Sequence, residues 1–359
     1  MPYVPYSDDV ETPFPDEARI TAEIVAKMGQ MQRDNADKHR HAHRDAHAKS
    51  HAILKGRLRV HDGLDDDLAQ GIFSTPGEYD VLARLSSAPS DIHTDQIPAP
   101  RGFAIKVIGV PGDRLSSDLG GSNQDFLLVN IPVLAFGDVG KYQELLGPLE
   151  AKAKAPESLQ RLGTAAARGV VGVVEALGRD PGATLQGLAS NNDVMLADTF
   201  HSQAAIRYGD RIAKISLTPD GPVESLAGQK IGRGFSAMRD AIAEWFSENG
   251  ATYTLRAQLC TDLDAMPVED AAILWDPEAS PHHPVATLTF PPQDPYSPGR
   301  RVWGDDHLAF NPWNGVTAHR PLGSIMRVRK PAYEQSSLQR HALNCVPRME
   351  PDTLSEIPD

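Results

Sequence analysis

Apolar residues recur at helical spacing from Asp16 onward, with Ile20, Ile24, Met28 and Met31 on one side and Glu23 and Lys27 on the other. This pattern predicts an amphipathic helix to about Asp37. Further on the period becomes two. Leu54, Gly56, Leu58 and Val60 alternate with Lys55, Arg57 and Arg59, the signature of a strand with one buried face. Strand-like runs follow at Asp80 to Ser87, Gly102 to Gly109 and Asp125 to Ile131, punctuated by Pro76-Gly77 and Pro111-Gly112. Tyr142 to Leu177 is rich in Ala and Leu and reads as helix, interrupted near Pro156 and its glycines. Strands are then expected at Ile212 to Thr218, Thr252 to Cys260 and Val285 to Phe290, with a helix from Phe235 to Phe246 between the first two. A stretch rich in Pro and Trp, Pro292 to Trp313, leads to a last helical segment, Leu322 to Asn344. Four strands, a helical insertion and then further strands predict an α+β fold, an antiparallel barrel or strongly bent sheet decorated by helices.

The first 15 residues carry four prolines and no apolar period, and read as an extended arm compatible with a homodimer, while the tail from Val346 reads as loose. With 359 residues, one large domain with a helical appendage is expected. No apolar run approaches the ~20 residues of a membrane span. The longest, Gly169 to Leu177, is broken by Gly172 and Glu175. A net charge of −13 disfavours nucleic acid as a partner. Two cysteines, Cys260 and Cys345, are too few for a disulfide scaffold and lack CxxC spacing. The N-terminus has no basic-then-apolar signal, so the cytoplasm is the default compartment.

Three clusters carry chemistry. The first is a histidine run. On a continuous helix His39, His43, His47 and His51 would form a stripe able to hold a transition metal, whereas the strand period just beyond it favours a solvated polar connector. In the second, Arg84 and Ser86 share a strand face with Leu82. The guanidinium there either sits beside an anion at a barrel rim or is solvated, because a buried unpaired charge is costly. In the third, Arg329, Tyr333 and Arg340 fall within roughly 40° of one another on a helix. An arginine four residues before a tyrosine favours the phenolate by opposite charge. The bland reading of that face is an exposed basic helix with a packing tyrosine, and Pro331 disturbs the ideal helix. A serine hydrolase is unsupported, since no GxSxG elbow occurs.

Taken in order, these clusters resemble the motifs of haem catalases. Arg44-Asp-Ala-His47-Ala-Lys49 is similar to that family's RxxHAK segment, and Arg84-Leu-Ser86-Ser87 to its R-F-S-T strand. Arg101-Gly-Phe-Ala-Ile-Lys106 resembles RGFAVKF, Gly121-Ser-Asn123 with the strand after it resembles the GNN segment, and Arg329-xxx-Tyr333 with Arg340 resembles the RxxxY…R of the proximal helix. The resemblance covers about residues 40 to 345.

The resemblance implies an eight-stranded antiparallel barrel of catalase type with helical insertions and a C-terminal proximal helix. Its parts would be an arm and helix over 1–40, a haem-binding domain over 41–345 and a tail over 346–359. It implies haem b held by Tyr333 as the iron ligand, with Arg329 as its charge partner. His47 would be the distal acid–base residue, steadied by Ser86, and Asn123 would donate to the bound peroxide. Arg44, Arg84 and Arg340 would pair with the propionates, and Phe136 would stack near the porphyrin. Departures from the pattern are Ser50-His51 after Lys49, where typical catalases have Gly and a small residue, and Ser122-Asn123-Gln124-Asp125 in place of NNTP. The short chain resembles the compact, catalase-related peroxidase branch. The activity implied is reduction of hydrogen peroxide or organic hydroperoxides through a ferryl intermediate, with a small-molecule electron donor. Rearrangement of fatty-acid hydroperoxides and non-catalytic haem binding are the alternatives.

Overall fold

A computed structural model of the chain describes residues 2–115, 120–154 and 191–359. The part of the Tyr142 to Leu177 helical reading beyond Lys154 lies outside the described residues. The strands are β1 (Lys49–Val60), β2 (Glu78–Ser87), β3 (Arg101–Val107), β4 (Gln124–Val129), β5 (Phe200–His201), β6 (Ile206–Tyr208), β7 (Arg211–Asp220), β8 (Ala251–Leu259) and β9 (His282–Phe290). All pair antiparallel in the order β5-β4-β3-β2-β1-β9-β8-β7-β6, and an added β5–β7 pairing closes eight of them into a barrel with β6 on the outside. Closure removes the free edges that an open sheet of this length would expose.

Side chains alternate across the barrel wall as the period of two requires. Val81, Ala83 and Leu85 of β2 enter the interior with Phe103, Ile105, Phe126 and Leu128. Phe103 is the hub of that core, with its ring 5.2 Å from both Phe200 and Tyr253 and 6.0 Å from Phe290. Leu82 points outward and packs with Ile53, Trp303 and Leu308. Arg84 and Ser86 share its face, yet each is only 3% exposed, so this outer face is covered.

The α-helices among the described residues are α1 (Glu17–His39), α2 (Val139–Lys154), α3 (Ala237–Glu248), α4 (Pro298–Val302) and α5 (Ser324–Asn344). Ile20 and Ile24 of α1 pack on Val139 of α2 and Val328 of α5, the inward face that the helical period predicts. Arg327 fixes the α5 origin, reaching Glu17 at 2.6 Å and Glu269 at 2.9 Å and also binding Glu11. Helix α5 runs through Pro331. The N-terminal segment, expected as an extended arm, is docked on its own chain, because Val4 N–H donates to the Cys260 carbonyl and Glu11 pairs with Arg320 and Arg327. The tail is likewise tied down, by Glu350 to Lys106 and Asp359 to Lys55. Among the described residues no helix is long and apolar enough to cross a membrane.

The histidine stripe does not exist as one helix. Helix α1 ends at His39, Arg40 takes a left-handed φ of 57°, and His51 belongs to β1. Nor is the stretch simply solvated. His39 pairs with Asp91, His41 with Asp306, and His51 is fully buried against Ser87. Among the described residues no group of three potential ligands is placed to hold a metal ion.

Buried neutral histidines give the fold an acid sensitivity. Burial pushes His319 down to about 4, and its Nε2 accepts the Ile72 N–H at 3.0 Å, a bond available only to the neutral ring. Burial, and then the like charge of Arg101, also hold His51 well below the ordinary value. The unfolded chain binds protons below about pH 6.5 that the folded chain refuses, so each such histidine removes about 1.4 kcal/mol of stability per pH unit. For His319 the window runs from about 6.5 down to about 4. The urea midpoint should be level above pH 7 and fall steadily from pH 6.5 to 4; a level midpoint down to pH 5 would contradict this.

Candidate functional site

The residue that starts the site precedes β1. His47 has a left-handed φ of 49°, a conformation that costs a non-glycine residue ~1 kcal/mol or more and persists only where its surroundings impose it. They do so here, since Arg84 Nη2 donates to the His47 carbonyl at 2.9 Å and Ala48 N–H donates to the Pro89 carbonyl at 3.1 Å. The imidazole thereby leans over the outer face of the barrel. Its Nδ1 lies 3.4 Å from Ser86 Oγ, a long and weak contact, and its Nε2 has no hydrogen bond among the described residues. Burial, and then the charges of Arg84, Arg329 and Arg101, push His47 down to about 3, so the ring is neutral at physiological pH.

Gly102 makes room for that ring. A Cβ at this position would lie 2.7 Å from His47 Nδ1 and 2.9 Å from Ser86 Oγ. Gly102→Ala should therefore leave the fold and ligand uptake intact while displacing His47. Misplacing a reacting group by about 1 Å costs on the order of 100-fold in rate, so any turnover that uses this imidazole should fall by about that factor, measured against ligand content. Unchanged turnover would show that the ring does not need this position.

His47 opens onto a cavity of about 630 Å³ between the outer face of β2 to β4 and helices α1, α2 and α5. Arg44, Arg84, Ser86, Phe136, Arg329, Tyr333 and Arg340 all line it. Phe136 stacks on Tyr142 with ring centroids 4.3 Å apart. The three arginines gather at one flank, where Arg44 donates to the Gly304 and Leu308 carbonyls, and Arg340 donates to those of Asp306 and Leu308. Arg84 Nε is buried without a partner. Burial and the neighbouring Arg84 push Arg340 down to about 10, and Arg44 is lowered by burial and by both other guanidiniums. Among the described residues the only carboxylate within 4 Å of the trio is Asp305, at 3.7 Å from Arg44.

Tyr333 projects from α5 and its hydroxyl makes no hydrogen bond among the described residues. The spacing of Arg329 and Tyr333 led to the expectation of a lowered phenol pKa. The structure has the opposite sign, because burial raises it by more than Arg329 lowers it, and Asp45 adds to the rise. Arg329 itself donates to Met326 Sδ at 3.4 Å instead of to the phenol. Asp45 is a cavity residue that the sequence reading passed over, and it accepts from Ser336 Oγ at 2.7 Å. Its place between Arg44 and His47 in the motif was the available signal.

Asn123 is the one assigned residue that the structure does not bring to the cavity. It is fully buried just before β4, where its side-chain Oδ1 accepts from Gly109 N–H and its side-chain Nδ2 donates to Glu350 and the Pro351 carbonyl. The cavity touches the other end of the strand, at Leu127, Leu128 and Val129. Six residues of extended chain put about 20 Å between Asn123 and that end. The expected peroxide donor is thus a structural amide. Asn123→Ala should cost ~1–3 kcal/mol of stability and leave any turnover at the cavity within about twofold; turnover lost without loss of stability would return Asn123 to the site.

With this geometry in place, the likeness to solved structures becomes informative. The chain is similar to a fungal catalase with a TM-score of 0.59 and 18% identity, over 96% of this chain and 68% of that one. Against catalase A from Saccharomyces cerevisiae the TM-score is 0.59 at 17% identity, over 96% and 70%. Against a bacterial catalase it is 0.56 at 14% identity, over 89% and 60%. The fold is therefore catalase-like, on a chain spanning about two thirds of the length of those catalases. No protein-family model matches the chain, and neither does any curated protein sequence.

Proposed function

We propose that this chain is a haem-dependent peroxidase related to catalase, reducing hydrogen peroxide or organic hydroperoxides at the expense of a small-molecule donor. The observation that carries the reading is that Tyr333 and His47, whose hydroxyl and Nε2 make no hydrogen bond among the described residues, line one cavity beside the buried Arg84 and Arg340 and the part-buried Arg44. The cavity, at about 630 Å³, is of the size that holds one large ligand, roughly 300–1,000 Å³. Its charge supports an anionic occupant, since among the described residues the three guanidiniums have a single carboxylate within 4 Å. Haem b carries two propionates that would offset this excess and satisfy the orphaned Arg84 Nε after a small adjustment.

Tyr333 would hold the iron, Arg44, Arg84 and Arg340 the propionates, and Phe136 one face of the macrocycle. Bound haem supplies the electrons that divide the peroxide O–O bond, and the donor restores them. The chain supplies the proton handling. His47, neutral because it is buried among cations, accepts at Nε2 the proton of the peroxide and returns it to the departing oxygen, which leaves as water or an alcohol. Ser86 and the Gly102 slot limit the ring to orientations that serve both transfers. Arg329 offsets part of the burial penalty on the Tyr333 phenolate.

Haemin titrated into the purified protein should bind with one-to-one stoichiometry and confer peroxide-dependent oxidation of a dye. A protein that takes up no haemin, or takes it up and oxidises nothing, refutes the reading.

A further inference from the structure

The wall that faces His47 is set by strand pairing. Ser86 of β2 is registered against Gly102 of β3, and Gly102 against Val129 of β4. Registered residues send their side chains to the same face of a sheet, with neighbouring Cα atoms about 4.5–5.5 Å apart. Ser86 Oγ and the Gly102 slot both meet the His47 ring, so Val129 is the next side chain in that row, and it lines the cavity.

The polar groups around this row are committed elsewhere. The Gln203 amide donates to the Ile131 and Val133 carbonyls at 3.1 and 2.9 Å. The Lys49 ammonium is held by Asp95 at 2.8 Å and by the His93 carbonyl. Arg101 donates to its register partner Ser87 and projects with it from the opposite face of the sheet, where its Nε and Nη2 are buried without partners, and Asn123 belongs to the far end of β4. Among the described residues of this row, with Ser86 Oγ turned to His47 Nδ1, the unpaired side-chain atom that remains for a peroxide beside Val129 is His47 Nε2. Farther out, Met28, Met31, Ile97 and Leu145 continue the apolar lining.

Hydrogen peroxide has two hydroxyl groups, and the one that His47 does not engage would face Val129 unsatisfied, which is unfavourable. An alkyl hydroperoxide presents one polar end to the imidazole and an apolar group to the wall. We infer that Val129 makes this site selective for apolar organic hydroperoxides over hydrogen peroxide. This rests on the peroxidase reading and names its substrate class.

The test compares kcat/KM for cumene hydroperoxide and for hydrogen peroxide on the haemin-loaded protein, its Val129→Asn and Val129→Thr variants, and equal haemin content. Val129→Thr nearly keeps the shape of valine and covers the case in which Val129→Asn does not fold. The parent should favour cumene hydroperoxide by about tenfold or more, the scale on which apolar pockets discriminate. Either variant should shrink that ratio about tenfold, chiefly by raising the hydrogen peroxide arm. Calorimetry with 2-phenylpropan-2-ol, the unreactive product alcohol, should show binding to the parent that weakens in both variants. A parent that prefers hydrogen peroxide, or a ratio and alcohol affinity unmoved by both substitutions, overturns the inference while leaving the peroxidase reading standing. Turnover of neither peroxide removes that reading, and the inference with it.

Discussion

The His47→Gln protein should take up haemin as the parent does and lose between about 10²- and 10⁴-fold in peroxide turnover, the range that a positioned acid–base group contributes. Glutamine is close in size and polar, but it has no basic nitrogen, so it cannot accept the peroxide proton and return it. The size of the loss depends on the ring being neutral, and burial among Arg84, Arg329 and Arg101 brings His47 down to about 3. The same value fixes the sign of the acid limb. Burial is the largest cause of that lowering and persists with ligand bound, so the acid limb of His47 should lie below its ordinary value and turnover should hold below pH 6.5 as long as the protein stays folded. The check is stopped-flow turnover normalised to haemin content, across pH, for both proteins. An equal rate in His47→Gln would remove the imidazole from the chemistry.

Tyr333→Phe is expected to weaken haemin binding by more than the ~10–100-fold that loss of an outer partner costs a metal site, because it removes the ligand itself, and to abolish turnover. The fold should survive, since the Tyr333 hydroxyl makes no hydrogen bond among the described residues and the ring is kept. A thermal midpoint close to the parent's would separate lost ligation from lost structure. The raised phenol pKa sharpens the expectation. Burial disfavours the free phenolate, so iron must displace the phenolic proton, and haemin uptake should accelerate with rising pH.

Much of this site was legible in the sequence because its parts sit in short strings whose local geometry is simple. Arg84 and Ser86 share a face by the period of two, and Arg329, Tyr333 and Arg340 share one by the helical period; both sets line the cavity. What escaped depends on distant chain. The spacing of Arg329 to Tyr333 was visible, but the burial that outweighs that arginine comes from the packing of α1 and α2 against α5. Asn123 was misplaced because an asparagine after glycines does not disclose which end of its strand meets the cavity. The start of β1 was hidden by the bulge between Ser50 and Ala52, which breaks the alternation and obscures buried His51. Strands β5 and β6 span two and three residues, too short to show a period, yet β5 closes the barrel. The docking of the N-terminal arm and of the tail that read as loose rests on ion pairs such as Glu11 with Arg327 and Lys55 with Asp359, of which apolar patterning carries no trace.

The most direct trial of tyrosinate ligation is a resonance Raman spectrum of the haemin-loaded protein, excited within the phenolate-to-iron charge-transfer band. Tyrosinate vibrations that shift when the protein is grown on ring-deuterated tyrosine, and that vanish in Tyr333→Phe, are the predicted result. An iron–histidine stretch in their place, or tyrosinate bands that persist in Tyr333→Phe, would contradict the account.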